Sequence, residues 1–161
     1  MLRGGGRDEQ EGPLSQSKPR PAGLAKAARI LEAALERNAQ LPVVLDVHEI
    51  TSFADVFVLL SGRSDRQVRA IAEAVAERLR QDGDEPLGIE GMEEGRWVLI
   101  DCNDVIVHVF EPEMRDLYAL ERLWSDAPVV DLLELGLDAA ALEAAGTDLS
   151  GVRAVGQETT R

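Results

Sequence analysis

The sequence predicts an α/β domain: a mixed five-stranded sheet with helices packed against it. Three observations carry that prediction. Two near-unbroken aliphatic runs meet within Glu94 to Phe110 around a tight turn, which reads as a β-hairpin. Two further apolar runs, Val43 to Val47 and Val56 to Leu60, lie close together upstream. Segments with helical spacing alternate with these strands, the pattern of helices layered on a sheet.

Residues 1–22 contain Gly4-Gly5-Gly6 and Pro13, Pro19 and Pro21, and read as a disordered leader. A helix follows in which Leu24, Ala27, Ala28, Leu31, Ala34 and Leu35 recur at helical spacing. Pro42 closes the connection into the first strand, Val43 to Val47. The short gap to Val56–Leu60 makes these two strands antiparallel neighbours. Ser64-Asp65-Arg66-Gln67 has the form of a capping box. It opens a helix with Val68, Ile71, Ala72, Val75 and Leu79 on one face, ending before Gly83. Leu87 to Glu90 is a short third strand, reached by a helical crossover expected to be right-handed and parallel.

The hairpin supplies strands four and five. With a two-residue turn at Cys102-Asn103, Trp97 stands opposite His108, and Asp101 and Asp104 flank the turn face to face. One hairpin face carries Val98, Ile100, Val105, Val107 and Val109 and calls for a dry core. The other carries Trp97, Leu99, Ile106 and His108 and ends in the two carboxylates. Like charges opposed on a sheet are destabilising, so this tip reads as solvated or as meeting a cation. Trp97 is either a core residue or an interface anchor, and the residues alone leave both open. A last helix from Pro112 to Trp124 is expected to bury Leu117, Leu120, Leu123 and Trp124. The main domain is thus 23–130. Residues 131–161 form a C-terminal extension, partly helical or disordered, in which Asp138 to Ala145 favours helix and Gly146 ends it.

Composition bounds the function. The chain has 161 residues, 45% hydrophobic, enough for one core. Its net charge of −13 argues against direct sequence-specific binding of nucleic acid and favours basic protein partners. A single cysteine forms no internal disulfide, and no segment has the length of a membrane span, so a cytoplasmic location is expected. His48, His108 and Cys102 do not supply a zinc ligand set, and neither metal nor cofactor is expected. Ser61-Gly62-Arg63-Ser64 before a helix offers backbone amides to a phosphate, yet a small-residue turn and an N-cap explain it equally. The alternative reading, a nucleotidyltransferase-like nucleotide-binding enzyme, requires an Asp-x-Asp pair for two metals, whereas Asp101 and Asp104 straddle a turn.

Several motifs occur together in order: Leu45-Asp46-Val47, Thr51 to Asp55, Ser61 to Gln67, Gly91, Glu94 to Trp97, Asp101, Asp104 to Phe110, and Leu120 to Trp124. Across residues 24 to 130 this arrangement resembles the ribosomal silencing factor (Iojap) family. The family's hairpin turn usually ends in glycine, where this chain has Asn103, which also tolerates left-handed geometry. The resemblance implies a nucleotidyltransferase-like topology without catalytic residues and a non-enzymatic binder of the large ribosomal subunit. Such a protein docks on ribosomal protein fourteen, blocks joining of the small subunit, and represses translation when nutrients are scarce. Carried over, the ribosomal-protein-binding surface centres on Trp97, Asp101, Cys102, Asn103 and Asp104. The apolar hairpin and an open sheet edge also leave room for a homodimer.

Overall fold

A computed structural model describes residues 22–150, so most of the expected leader, and residues 151–161 of the extension, lie outside the described residues. The elements are α1 (Gly23–Glu36), β1 (Gln40–Asp46), β2 (Val56–Ser61), α2 (Asp65–Gln81), β3 (Gly88–Glu90), β4 (Trp97–Asp101) and β5 (Val105–Phe110). Three short helices follow: α3 (Pro112–Tyr118), α4 (Leu120–Leu123) and α5 (Ala139–Ala144). The five strands form one mixed sheet in the order β1-β2-β5-β4-β3. β2 and β5 pair in parallel at its centre, and the other neighbours are antiparallel. β3 runs in the same sense as β2, as a crossover requires, but lies at the far edge with β5 and β4 between them.

The two sheet faces have different chemistry. Alternation along the strands sends Val98, Ile100, Val105, Val107 and Val109 to one face, where all are fully buried beneath α1 and α2. α2 starts as its capping residues require, with Ser64 Oγ accepting from the Gln67 amide at 3.1 Å. Gly62 lets this helix approach β2, since a Cβ there would stand 2.9 Å from the Val68 nitrogen. Leu132, Leu137, Leu142 and Leu149 of the C-terminal segment also enter this core. They show no single apolar face in sequence because each descends from a different turn or helix. The same segment closes the β1 edge, with Asp46 N donating to Pro128 O and Val130 N to Val44 O, both at 2.9 Å.

Two expectations are corrected. The hairpin register is shifted by two residues: Trp97 opposes Phe110, Leu99 opposes His108 and Asp101 opposes Ile106. Cys102 N donates to Val105 O at 2.9 Å, so the turn is Asn103-Asp104. Asn103 accepts the left-handed conformation there (φ 75°), and Cys102, just past the end of β4, closes the hairpin rather than forming its turn. A shift of two leaves every strand side chain on its expected face, while Asp104, now in the turn, reaches Lys26 of α1 instead. The second correction concerns the last helix. It is broken at Ala119, which adopts φ 46° and ψ 50°. The break turns Leu120 and Trp124 onto the second sheet face but leaves Leu117 and Leu123 outside, 72% and 73% exposed.

Close approach at Gly62 gives a direct test of the α2–β2 packing. Gly62→Ala is expected to destabilise the fold by about 1–3 kcal/mol, because its Cβ meets backbone that cannot step aside. Urea denaturation reads this; an unchanged midpoint would contradict the packing.

Candidate functional site

All six aromatic residues of the chain, three Phe, two Trp and one Tyr, lie along the second sheet face. Phe57, Phe110 and Trp97 reach it from β2, β5 and β4, Phe53 from the loop before β2, and Tyr118 and Trp124 from the broken helix. Their rings form a continuous chain. Trp124 stands edge-on to Phe57 with centroids 5.0 Å apart, and Phe57 meets His108 at 5.6 Å. His108 stacks on Phe110 at 5.9 Å, Phe110 on Trp97 at 5.1 Å, and Trp97 meets Tyr118 at 4.6 Å. Such pairs contribute about 0.5–1.5 kcal/mol each beyond area burial.

His108 is the buried polar group at the centre of this layer. Trp97 Nε1–H donates to its Nδ1 at 3.1 Å, which assigns the ring proton of the neutral imidazole to Nε2. Burial depresses its pKa from 6.5 to about 4, so His108 is neutral near pH 7 and accepts this bond. Trp97 is thereby fixed by a hydrogen bond and three ring contacts while remaining half-buried.

Short helices cover the aromatic face only in part. Phe53, Leu117, Tyr118 and Leu123 stay largely exposed at its margin. These residues escape the sequence reading, which places Leu117 and Leu123 in the core. The available signal was the confinement of the aromatic residues to one face. Nothing in the residues around Ala119 announces a left-handed alanine.

The five residues proposed from the sequence do not form one cluster. Trp97 lies on the aromatic face at one end of β4, about 13 Å along the strand from Asp101. Cys102 is buried in the opposite, aliphatic core, and burial pushes its thiol pKa up to about 12. Asn103 is exposed at the tip, with its amide donating to Asp101 Oδ1 at 3.0 Å. The expected face-to-face pair of carboxylates is absent. Lys26 of α1 donates from Nζ to Asp104 Oδ1 at 2.8 Å and to Cys102 O at 2.9 Å, clamping the tip to the helix. The cation anticipated at the tip is thus a residue of this chain.

The Ser61-to-Ser64 turn is likewise engaged in structure. Ser61 Oγ accepts from Arg115 Nη1 at 2.9 Å, Gly62 N donates to Phe110 O, and Arg63 N donates to Gln67 Oε1. Among the described residues no group of three or more His, Cys, Asp or Glu is placed to hold a metal ion. No helix there is long and apolar enough to cross a membrane.

Fold and site together define a small α/β domain with one face sealed by helices and one aromatic face left partly open. The chain belongs to the ribosomal silencing factor family: the model described as ribosomal silencing factor during starvation matches residues 20–153. It is 42% identical over 97 residues to ribosomal silencing factor RsfS of Bacillus subtilis, spanning 60% of this chain and 82% of that one. Mouse mitochondrial assembly of ribosomal large subunit protein 1 is more distant, 30% identical over 93 residues, spanning 56% and 41% of the two chains. A solved structure from Chromobacterium violaceum superposes with a TM-score of 0.61 at 37% identity, covering 62% of this chain and 83% of that one. Another from Bacillus halodurans gives 0.59 at 37% identity, covering 65% and 95%.

Two predictions concern these groups. His108 has a folded pKa of about 4 against 6.5 unfolded, so the unfolded chain takes up its proton first as pH falls. Stability should decline from about pH 6.5 towards pH 4 by at most about 1.4 kcal/mol per pH unit from this group. Denaturant melts across that range should show a shallower decline for His108→Gln; identical slopes would remove His108 from the account. At the tip, Asp104→Asn should destabilise the chain by up to about 1 kcal/mol through loss of the Lys26 pair. A gain in stability would mean that repulsion, not the clamp, governs the tip.

Proposed function

We propose that this chain represses translation by binding the large ribosomal subunit and occupying the surface that the small subunit must meet. The partner is ribosomal protein fourteen, engaged by the aromatic face, and the effect belongs to nutrient limitation. One observation carries the reading: Trp97 is half-buried and held by His108, Phe110 and Tyr118, and the same aromatic layer is bordered by exposed Leu117, next to Tyr118, and exposed Leu123, next to Trp124. Rigid aromatic anchors bordered by exposed apolar groups suit a binding hot spot, because little side-chain freedom is left to lose. Family membership supports the ribosomal target, and the net charge of −13 suits a basic partner by steering its approach.

Trp97 is the proposed anchor. Asp101 and Asn103 form an outlying polar contact at the tip, which Asp104 and the interior Cys102 hold in shape. The mechanism needs occlusion and no covalent step, so the chain acts as a repressor rather than an enzyme, in the cytoplasm and without cofactor. A homodimer through the same face would compete with the ribosome, and large-subunit occupancy would then rise less steeply with protein concentration than for a monomer.

The test adds the protein to separated ribosomal subunits and follows their joining on a sucrose gradient. Wild-type protein should travel with the large subunit and diminish the joined peak. Leu123→Glu, at a site 73% exposed, should leave stability within about 0.5 kcal/mol of wild type. It should weaken large-subunit binding at least about tenfold, by about 1.4 kcal/mol, and restore joining. Normal joining while wild-type protein stays bound would refute occlusion, and full binding by Leu123→Glu would remove this face from the interface.

A further inference from the structure

A cleft of about 660 Å³ opens between the start of β1, the C-terminal segment, and the Arg115, Asp116 and Glu121 side of α3 and α4, the helices whose Leu117, Tyr118 and Leu123 border the aromatic face. Its apolar lining includes Val43, Val129, Leu132 and Leu149. Four carboxylates, Asp116, Glu121, Asp131 and Asp148, line it as well, against the single cation Arg115.

That cation is already engaged. Arg115 is 7% exposed, and Nη1 donates to Leu41 O at 2.7 Å and to Ser61 Oγ at 2.9 Å. Its Nε and Nη2 donate to the Glu121 carboxylate at 3.3 and 2.8 Å. Asp116, Asp131 and Asp148 form no ion pair among the described residues, and the further cation near Asp116 is Arg122 in the adjoining hollow. The chain orients two of them without neutralising them: Asp131 Oδ1 accepts from Leu133 N, and Asp148 Oδ1 from Ser150 N and Oγ.

The lip of the cleft is fixed before any ligand arrives. Leu41 is held in a left-handed conformation (φ 51°) by two hydrogen bonds: its N–H donates to Ala145 O at 2.7 Å and its carbonyl accepts from Arg115. It is nevertheless half exposed, as is Val129 to a greater degree. A strained, tied residue presenting an apolar side chain to water is characteristic of a preorganised contact. Thr147, also on the wall, has a buried Oγ1 without a hydrogen-bond partner. Rotation about its χ1 exchanges this hydroxyl with the methyl group, so the unmet bond is available to a ligand.

We propose that this cleft binds an extended peptide segment carrying one basic side chain between aliphatic ones. Its volume is in the range of ligand sites. The carboxylates select a cation and repel anionic ligands, while the valine and leucine walls reward aliphatic flanks that a bare cation lacks. The proposal is independent of the ribosomal reading, and its test requires no ribosome.

The probe is a capped, fluorophore-labelled pentapeptide, Ala-Val-Arg-Val-Ala, titrated with the full chain. Saturable one-to-one binding is expected, weakened at least about fivefold by Asp131→Asn and about threefold by Thr147→Val. Thr147→Val should also raise the Tm by removing the unpaired hydroxyl, so a purely structural role predicts higher Tm with unchanged affinity. Replacing the peptide's arginine by glutamate should abolish binding. Absence of saturation at about 1 mM, equal affinity for the two peptides, or affinity indifferent to both substitutions overturns the proposal. Agmatine binding as tightly as the peptide overturns its peptide component, leaving a small-cation site.

Discussion

The parallel pairing of β2 with β5 at the centre of the sheet is the constraint on which the rest of the molecule depends. All six residues of β2 are buried, and β5 is buried at all but Ile106. Central strands of this kind must be covered on both faces. α1 and α2 cover one face, with aliphatic side chains of matching shape. The other receives only the short α3 and α4, and it is there that every aromatic side chain of the protein is gathered. Large rings bury more area per residue, so thin cover over aromatics still stabilises the sheet while leaving ring edges and neighbouring leucines in water.

Arg115 links this unequal cover to the core. Its guanidinium ties α3 to the carbonyl of Leu41 in β1 and to the hydroxyl of Ser61 in β2, and its remaining donors go to Glu121. The broken helix is therefore held to one end of the β1–β2 pair, and the left-handed Ala119 lies between Arg115 and Glu121. Such a conformation costs an alanine about 1–2 kcal/mol, which the bidentate pair and the burial of Leu120 and Trp124 offset. Neutral His108 serves the same face from within by orienting Trp97.

Period-two alternation made both faces of the hairpin legible in the sequence, and the mixed five-stranded architecture followed from the order of apolar runs. The faces of the hairpin survived an error of two in register because only an odd slip exchanges them. The turn position was not legible, since Cys102-Asn103 and Asn103-Asp104 are both chemically acceptable, and burial of Cys102 decides between them. Helical periodicity over Pro112 to Trp124 gave no sign of the break, because the bonds that impose it join Arg115 to residues 54 and 74 positions away. For the same reason the sequence pointed to the hairpin tip, whose charge is met by Lys26 from 78 positions upstream, and passed over the exposed leucines bordering the aromatic face.

The central claim is that the partly open aromatic face is the recognition surface. Hydroxyl-radical footprinting of the chain, free and bound to large ribosomal subunits, tests it most directly. The account predicts strong protection of Trp97, Leu117, Tyr118 and Leu123 on binding, with the outer surfaces of α1 and α2 labelled as in the free protein. Protection confined to those two helices, with the aromatic margin still fully reactive, would contradict it.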